Sequence, residues 1–598
     1  MNQGTSIRWL IREADPPSVQ RLSQALGISP LLARLLVLRG VADPEPARRF
    51  LHPDLTHLHN PLAMLGMEAA VRRIFQAVER REKILIYGDY DVDGSLAAVV
   101  LETALKLVGA AVSHHIPHRM REGYGMRPEV IEQAGGEGFS LIISVDTGIR
   151  AFAVVERARE LGLDCIITDH HLPASSEGTP ESIPRAVAVL NPKQPRCAYP
   201  DKNLCGAGVA FKLVHALLAA HPASSARTAR LLPSFLKLVC IGTIADSVPL
   251  VGENRVIARL GLEGLRLPVN PGLKALLQAA GMDGRPVTAW DVGFRLAPRL
   301  NAAGRMESAQ DVMDLFTLAD PERTQELAQK LNRLNSERQN AEQTILVEIE
   351  DRFQRQPEQF ADSCLVVDGD GWHRGVIGIV ASRLAERFHR PALVISRENG
   401  IGHGSGRSGE KFHLLQALTA CADVFDRFGG HAQAAGFALR VERIAELRRR
   451  LNEHVAGCLN PPDLTPEIKI DAEVSFRELS PDLFEELEGL APHGSGNPRP
   501  LFCSRDLQLR GRPRLLKEKH LKMQVARDGQ VFDVLGWRKG GMLDMLSSGN
   551  PTLDLAFYLS ENPMAEGAPI QLELVDAVCG VPPGSPSLAA SGSSADGP

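Results

Sequence analysis

KILIYGDYDVDG, residues 83–94, climbs through a short apolar run and stops on three aspartates. LIISVDTG (141–148) stops in the same way on Asp146, and CIITDHH (165–171) stops on Asp169, His170 and His171. A fourth apolar stretch, LVCIGTIADSVPL (238–250), ends at Asp246. Each of the first three reads as a fully buried strand bounded by turn formers. Strands apolar on both faces lie side by side in parallel sheets with helices between them. The functional crevice of such a sheet lies beyond the carboxyl ends of its strands. Asp89, Asp91, Asp93, Asp146, Asp169, His170, His171 and Asp246 are therefore expected at one edge. Carboxylates packed that closely repel one another and take up protons unless cations sit among them.

A site for two hard divalent ions follows. Carboxylate and water oxygens suit magnesium and manganese, and a histidine among them tilts the choice toward manganese. Asp89, Asp91 and Asp93 alternate, so an extended segment would present them on one face. Asp146 is placed to bridge both ions, His170 offers one imidazole, and Asp246 closes the second ion's shell. Asp169 and His171 are placed to orient ligands or an attacking water. Taken singly, a DxDG is often a turn and a tandem histidine is often surface; the weight lies in four chain-separated ends converging.

The chain has 598 residues, enough for three or four domains, with 44% hydrophobic and 23% charged residues. No apolar run approaches the roughly 20 residues that cross a bilayer. The start, MNQGTSIRWLIREADPP, has no apolar signal core, so a cytoplasmic location without membrane contact is expected. Nine cysteines without a C-x-x-C pair read as free thiols rather than a zinc ribbon or disulfide framework. A net charge of −5 argues against indiscriminate coating of nucleic acid, although basic residues cluster at His118–Arg121 and over 505–522.

Along the chain, 1–60 reads as an N-terminal helical segment with a proline-rich exit. Strand and helix patterns then alternate in a parallel-sheet α/β domain over 61–320. In it, Asp93-Gly94-Ser95 opens a helix over 95–109, and proline-rich 172–205 reads as a long loop. A polar stretch over 321–355, with one proline at its start and no glycine, reads as a single long helix in a connecting segment 321–358 and is expected to bridge domains. A second α/β domain covers 359–458, with glycine-rich GIGHGSGRSG and FGGHAQAAGF suited to bringing backbone N–H groups close to an anion. Short strand patterns over 459–580 fit a small β-barrel of the OB type, and Gly/Ser/Pro/Ala-rich 581–598 reads as a disordered tail.

The chain resembles the DHH phosphoesterase superfamily and, within it, the bacterial single-strand-specific exonucleases of the RecJ family. The resemblance is carried by GDYDVDG (88–94), SVDTG (144–148), TDHH (168–171) and GTIADSVPL (242–250). PHRMREGYG (117–125), RLNAAGRM (299–306), GWHRGVIGIVASRL (371–384), GSGRS (404–408), GGHAQAAGF (429–437) and PHGSGNPRPLF (492–502) extend it. The last motif carries His493 and Arg499 where the family has an aromatic and an acid.

The resemblance implies two Mn2+ or Mg2+ ions held by Asp91, Asp93, Asp146, His170 and Asp246, with Asp89 in or beside the shell. It implies a catalytic or orienting role for Asp169 and His171. It implies that Arg119, Arg305, Ser405 and Arg407 hold DNA phosphates, with His431 a substrate contact or a structural group. The implied fold is a DHH domain joined by a long helix to a DHHA1 domain, followed by an OB barrel. The implied activity is 5′→3′ digestion of single-stranded DNA to 5′-mononucleotides in repair and recombination, by a monomer working beside a helicase and a single-strand-binding protein. Arg510, Arg512, Arg514, Lys517 and Lys522 are candidate strand contacts on the barrel. Phe532 and Trp537 are candidate stacking faces, core packing being the other expectation for Trp537. Two other readings remain open at this point: a small-substrate phosphoesterase of the same superfamily, and a non-catalytic scaffold.

Overall fold

The computed structural model describes residues 7–174, 182–223, 227–360, 362–459, 466–547, 552–562 and 570–579; the expected tail lies outside them. These residues form two compact units. Of the described residues, those within Pro53–Pro466 and Pro492–Gly496 make the larger; those within Ile7–His52 and Glu467–Ala491, and those from Asn497 to Cys579, make the smaller.

The larger unit contains a five-stranded, all-parallel sheet in the order Ala111–His115, Lys83–Tyr87, Phe139–Val145, Asp164–Thr168, Ala188–Leu190. The alternation of side chains across the sheet explains the unbroken apolar runs. Ile84 and Ile86 enter the core on one face with Leu96 and Val100, while Leu85 and Tyr87 enter the other with Ile131 and Val155. The fifth strand lies inside the segment expected to be a loop over 172–205. Three residues between prolines leave too short a period to register as a strand in the sequence.

Asp246 follows a helix, not a strand: Thr228–Ala245 ends with Asp246 as its C-cap residue. Among the described residues this is the one helix with the length and composition to cross a bilayer, contrary to the expectation that no segment approaches it. It packs beside the helices Gly252–Gly264 and Val92–Leu107, and its Leu236, Val239, Cys240 and Ile241 are buried in the core of this unit.

The helix Pro321–Arg355 has the bounds its composition predicts, capped by Asp320, which accepts from the N–H groups of Glu322 and Arg323. At roughly 1.5 Å per residue it spans about 50 Å. Leu327, Ala328 and Leu331 belong to the first core, and Ile345 and Ile349 belong to the core of a second sheet. That sheet runs Arg427–Gly430, Ala434–Arg440, Ile401–Arg407, Ala392–Glu398, Leu365–Asp370, with one parallel pair at its end.

In the smaller unit the expected all-helical N-terminal segment also holds a strand, Arg8–Ile11, paired in parallel with Glu467–Ile470. Phe502–Leu516, His520–Arg527, Gln530–Gly536, Ile570–Cys579 and Thr552–Glu561 form a barrel, closed by pairing of the first with the last. Arg499 salt-bridges Glu573 at 2.6 Å and lies 4.8 Å over the Tyr558 ring, so its charge is answered inside this unit. Phe532 is buried edge-on against Phe476 and is a core residue rather than a stacking face. Trp537, for which core packing was also expected, is half exposed beside His520.

Candidate metal centre

The strand ends bring the acids together as their shared sheet edge requires, but local geometry differs from an alternating extended segment. Asp89 follows the strand Lys83–Tyr87, Asp91 is the N-cap of the helix Val92–Leu107, and Asp93 lies in its first turn. The Asp91 carboxylate accepts from Gly94 N at 3.0 Å, a bond that starts the helix three residues before the expected Ser95. Asp91 and Asp93 thus reach the centre from one helical turn instead of one face of a strand.

Asp146 adopts the left-handed backbone region, φ 60°, directly after the strand Phe139–Val145. For a non-glycine residue this costs about 1–3 kcal/mol and persists where the surroundings dictate it. Here Asp146 N donates to Thr168 O at 2.9 Å, and Gly206 lies against the side chain, where a Cβ would sit 2.6 Å from Asp146 Cγ.

Three overlapping trios of ligand atoms result, each gathered within 4.8 Å: Asp89, Asp91 and Asp146; Asp93, His170 and Asp246; and Asp146, His170 and His171. His170 Nε2 lies 3.1 Å from Asp146 Oδ1, 3.7 Å from Asp246 Oδ2 and 3.9 Å from Asp93 Oδ2, so the trios adjoin through Asp146 and His170. Buried Asp89 Oδ1 and Asp146 Oδ1 have no hydrogen-bond partner. Oxygens taken from water and left without a donor are what a hard cation satisfies, and this donor set fits Mn2+ or Mg2+.

Protons report the same deficit of positive charge. Burial, with Asp91 beside it, pushes Asp89 up to about 8 and Asp93 to about 6. Burial, with Asp93 and Asp91, raises Asp246 to about 8, and burial with the same neighbours raises Asp146. Burial lowers His170 to about 3, with the His171 charge adding to it, which leaves a neutral imidazole able to ligate.

Asp169 differs from the others. Its carboxylate accepts from Ile149 N (2.9 Å), His170 N (2.7 Å), His171 N (3.0 Å) and His171 Nδ1 (2.8 Å). Burial opposes its ionisation, but these bonds prevail and hold it below the ordinary carboxylate range. Burial likewise opposes a charge on His171, and the bond to Asp169 outweighs it and raises the ring's pKa. With Nδ1 engaged, the half-exposed His171 ring keeps Nε2 for another partner.

Sequence reading passed over the start of the helix Gly206–Ala220. Gly206 N and Ala207 N donate to the two oxygens of Asp93 at 2.6 and 2.9 Å. The helix N-terminus thus fixes that carboxylate with its free N–H groups. The cue was CGAGVAFKL, a glycine-rich helix start after a proline-rich stretch.

The expected phosphate-holding residues also gather. Arg305 is half-buried, with Arg119, Arg407 and Arg338 near enough to act on its charge; loss of water foremost, then Arg119 and Arg407, lowers its pKa to about 10. Arg407 Nη1 donates to Ser405 Oγ at 3.1 Å, and both side chains border Gly378 near the start of the helix Ile377–Phe388. His431 lies close enough for Arg407 and His171 to add to burial in lowering its pKa. One expectation is corrected. GSGRS does not offer backbone N–H groups to an anion over its strand residues: Ile401–Arg407 is a central strand hydrogen-bonded on both edges, which leaves side chains such as Ser405 and Arg407 to bind.

The comparisons with known proteins agree with this geometry. Residues 83–243 match the DHH family, N-terminal domain; 361–457 match the DHHA1 domain; 470–576 match the RecJ OB domain. The single-stranded-DNA-specific exonuclease RecJ of Bacillus subtilis is 41% identical over 91% of this chain and 68% of its own length. The Escherichia coli protein of that name is 35% identical over 85% of this chain and 89% of its own. The crystal structure of Thermus thermophilus RecJ in complex with Mn2+ superposes with a TM-score of 0.79 at 30% identity, covering 96% of this chain and 79% of that one. With its three family matches in sequence, and relatives 35–41% identical over most of its length, this chain belongs to the RecJ family of the DHH superfamily.

Proposed function

We propose that this chain is a metal-dependent exonuclease acting on single-stranded DNA, cutting 5′→3′ and releasing 5′-mononucleotides. The observation that carries the reading is the set of overlapping ligand trios at the sheet edge. Asp89, Asp91 and Asp146 would hold one divalent cation, and Asp93, His170 and Asp246 the other. When bound, Mn2+ or Mg2+ supplies Lewis acidity toward a phosphodiester and renders a coordinated water acidic.

The remaining work falls to side chains. Asp169 keeps the His171 Nδ1 proton engaged and aims Nε2 at the reacting phosphate, a division of labour in which one group orients and the other handles the proton. Arg119, Arg305 and Arg407, with Ser405 and His431, would hold the 5′-terminal phosphate through charge-assisted hydrogen bonds. Selection of single strands would come from an approach too narrow for a duplex. The barrel would track the strand through its basic residues, and a helicase and a single-strand-binding protein would work beside a monomeric, cytoplasmic enzyme. The match of 470–576 to the RecJ OB domain favours a polymer over a dinucleotide substrate.

The test offers 5′-phosphorylated single-stranded DNA and blunt duplex DNA, with Mn2+, to the parent chain and to Asp146→Ala. Mononucleotides released from the single strand alone, and none from the variant, are expected. Equal digestion of the duplex rejects the narrow approach, and undiminished turnover by Asp146→Ala rejects the metal assignment.

A further inference from the structure

Tyr90 stands between Asp89 and Asp91 and belongs to none of the ligand trios. Its ring lies under the Arg119 guanidinium, 4.0 Å from Cζ to the ring centroid. Arg119 Nε is buried with no hydrogen-bond partner, and the ring face packs against that guanidinium. The backbone of Tyr90 makes a second close approach: at Gly304 a Cβ would overlap the Tyr90 carbonyl oxygen. The helix Ala297–Met306 that carries Gly304 is tied to the same loop through Val92 N, which donates to Asn301 Oδ1 at 3.2 Å. Its next residue, Arg305, donates from Nη1 to Gly375 O at 3.1 Å. Through its ring and its carbonyl, one residue therefore sets two arginines relative to two aspartates.

We propose that Tyr90 is a positioning residue that fixes the spacing between the anchor for the terminal phosphate and the acid cluster, and so sets the length of fragment released to one nucleotide. The inference rests on the functional reading above and adds to it what determines product length. An arginine laid on an aromatic face keeps its charge and loses its freedom to sweep. Without the ring, the Arg119 side chain can follow the phosphate to more than one position, and the cut falls after one nucleotide or two.

The experiment compares Tyr90→Phe and Tyr90→Leu on single strands carrying a 5′-phosphate or a 5′-hydroxyl. Product length, KM and kcat are read for each, and Mn2+ stoichiometry is measured by calorimetric titration. Tyr90→Phe retains the ring and is expected to match the parent chain. Tyr90→Leu is expected to raise KM for the phosphorylated strand about tenfold, to narrow the gap between the two ends, and to release dinucleotides among the products, with Mn2+ stoichiometry unchanged. Gly304→Ala, which displaces the neighbouring helix from the Tyr90 carbonyl, is expected to mix product lengths in the same way. Mononucleotides alone from both Tyr90→Leu and Gly304→Ala, with the parent preference for the phosphorylated end, overturn the inference while leaving the functional reading intact. Loss of Mn2+ from Tyr90→Leu also overturns it, since Tyr90 would then serve the metal centre. If the parent chain itself releases no mononucleotides, the functional reading fails, and this inference with it.

Discussion

Three donors converge on Asp169 Oδ1 and a fourth on Oδ2, twice the number that Asp93 accepts, which suits it to hold His171 rather than an ion. Asp169→Asn keeps the size and loses the charge. It is expected to lower kcat by roughly 10²–10⁴, the usual contribution of a positioned acid–base pair, with Mn2+ affinity nearly unchanged. Steady-state kinetics and Mn2+ titration on the same preparation check both halves. Gly206 makes the opposite kind of contribution, by having no side chain. Gly206→Ala forces a methyl against Asp146 and is expected to cost about 1–3 kcal/mol of stability. It should also weaken Mn2+ binding, because Asp93 and Asp146 both rest on that turn; chemical denaturation and titration check this. The acids at this centre were legible as strand ends, and Asp169 was already set apart there as an expected orienting group. What was not legible is which backbone N–H groups face its carboxylate, because that depends on the folded turn.

Among the elements, the helix Pro321–Arg355 was readable to its bounds. A long run without glycine, with proline only at its first position, has no other stable local structure. Its Glu342 accepts from Arg338 at 2.9 Å and also pairs with Arg383 of the helix Ile377–Phe388, which joins the two sheet-containing bodies along its length. Gln339 is exposed near the middle. Gln339→Pro removes one intrahelical hydrogen bond and is expected to cost about 3 kcal/mol or more. Limited proteolysis should then cut near 339, and nuclease activity should fall although every ligand is retained. Glycine-rich Ile401–Arg407 is the counterexample. Gly402, Gly404 and Gly406 were expected to bring backbone N–H groups to an anion, yet they are the inward positions of a strand. Any Cβ at Gly404 would overlap the Phe437 ring, so small residues there serve packing and leave Ser405 and Arg407 on the other face.

At the scale of the whole molecule, the acid centre sets how stability depends on pH. In the metal-free fold Asp89 and Asp246 titrate near 8, Asp93 near 6 and Asp146 above its ordinary value. Unfolded aspartates titrate near 4, so the folded chain binds more protons than the unfolded one between about pH 4 and 8. The centre's penalty is absent below about pH 4 and complete above about pH 8. The metal-free Tm is therefore expected to fall from pH 5 to 8, and the rise in Tm on adding Mn2+ to be larger at pH 8 than at pH 6; calorimetry at both pH values checks this. A Tm of the metal-free chain that rises across that interval would contradict it. The barrel makes a separate prediction. If Arg510, Arg512 and Arg514 pair with phosphates, replacing all three with glutamine should flatten the dependence of log Kd on log salt by about 0.7 for each phosphate no longer neutralised. Binding titrations on a catalytically silenced background at several salt concentrations measure that slope. The sequence by itself determined which segments are buried strands and long helices, and that acids sit where strands end, because hydrophobic period and turn chemistry are local properties. Only the tertiary structure decided that Asp246 arrives from a helix, that Asp93 is held by a distant helix N-terminus, and that Ala188–Leu190 and Arg8–Ile11 are strands. Each of these depends on a partner far along the chain, and burial beside that partner supplies what the local residues do not encode.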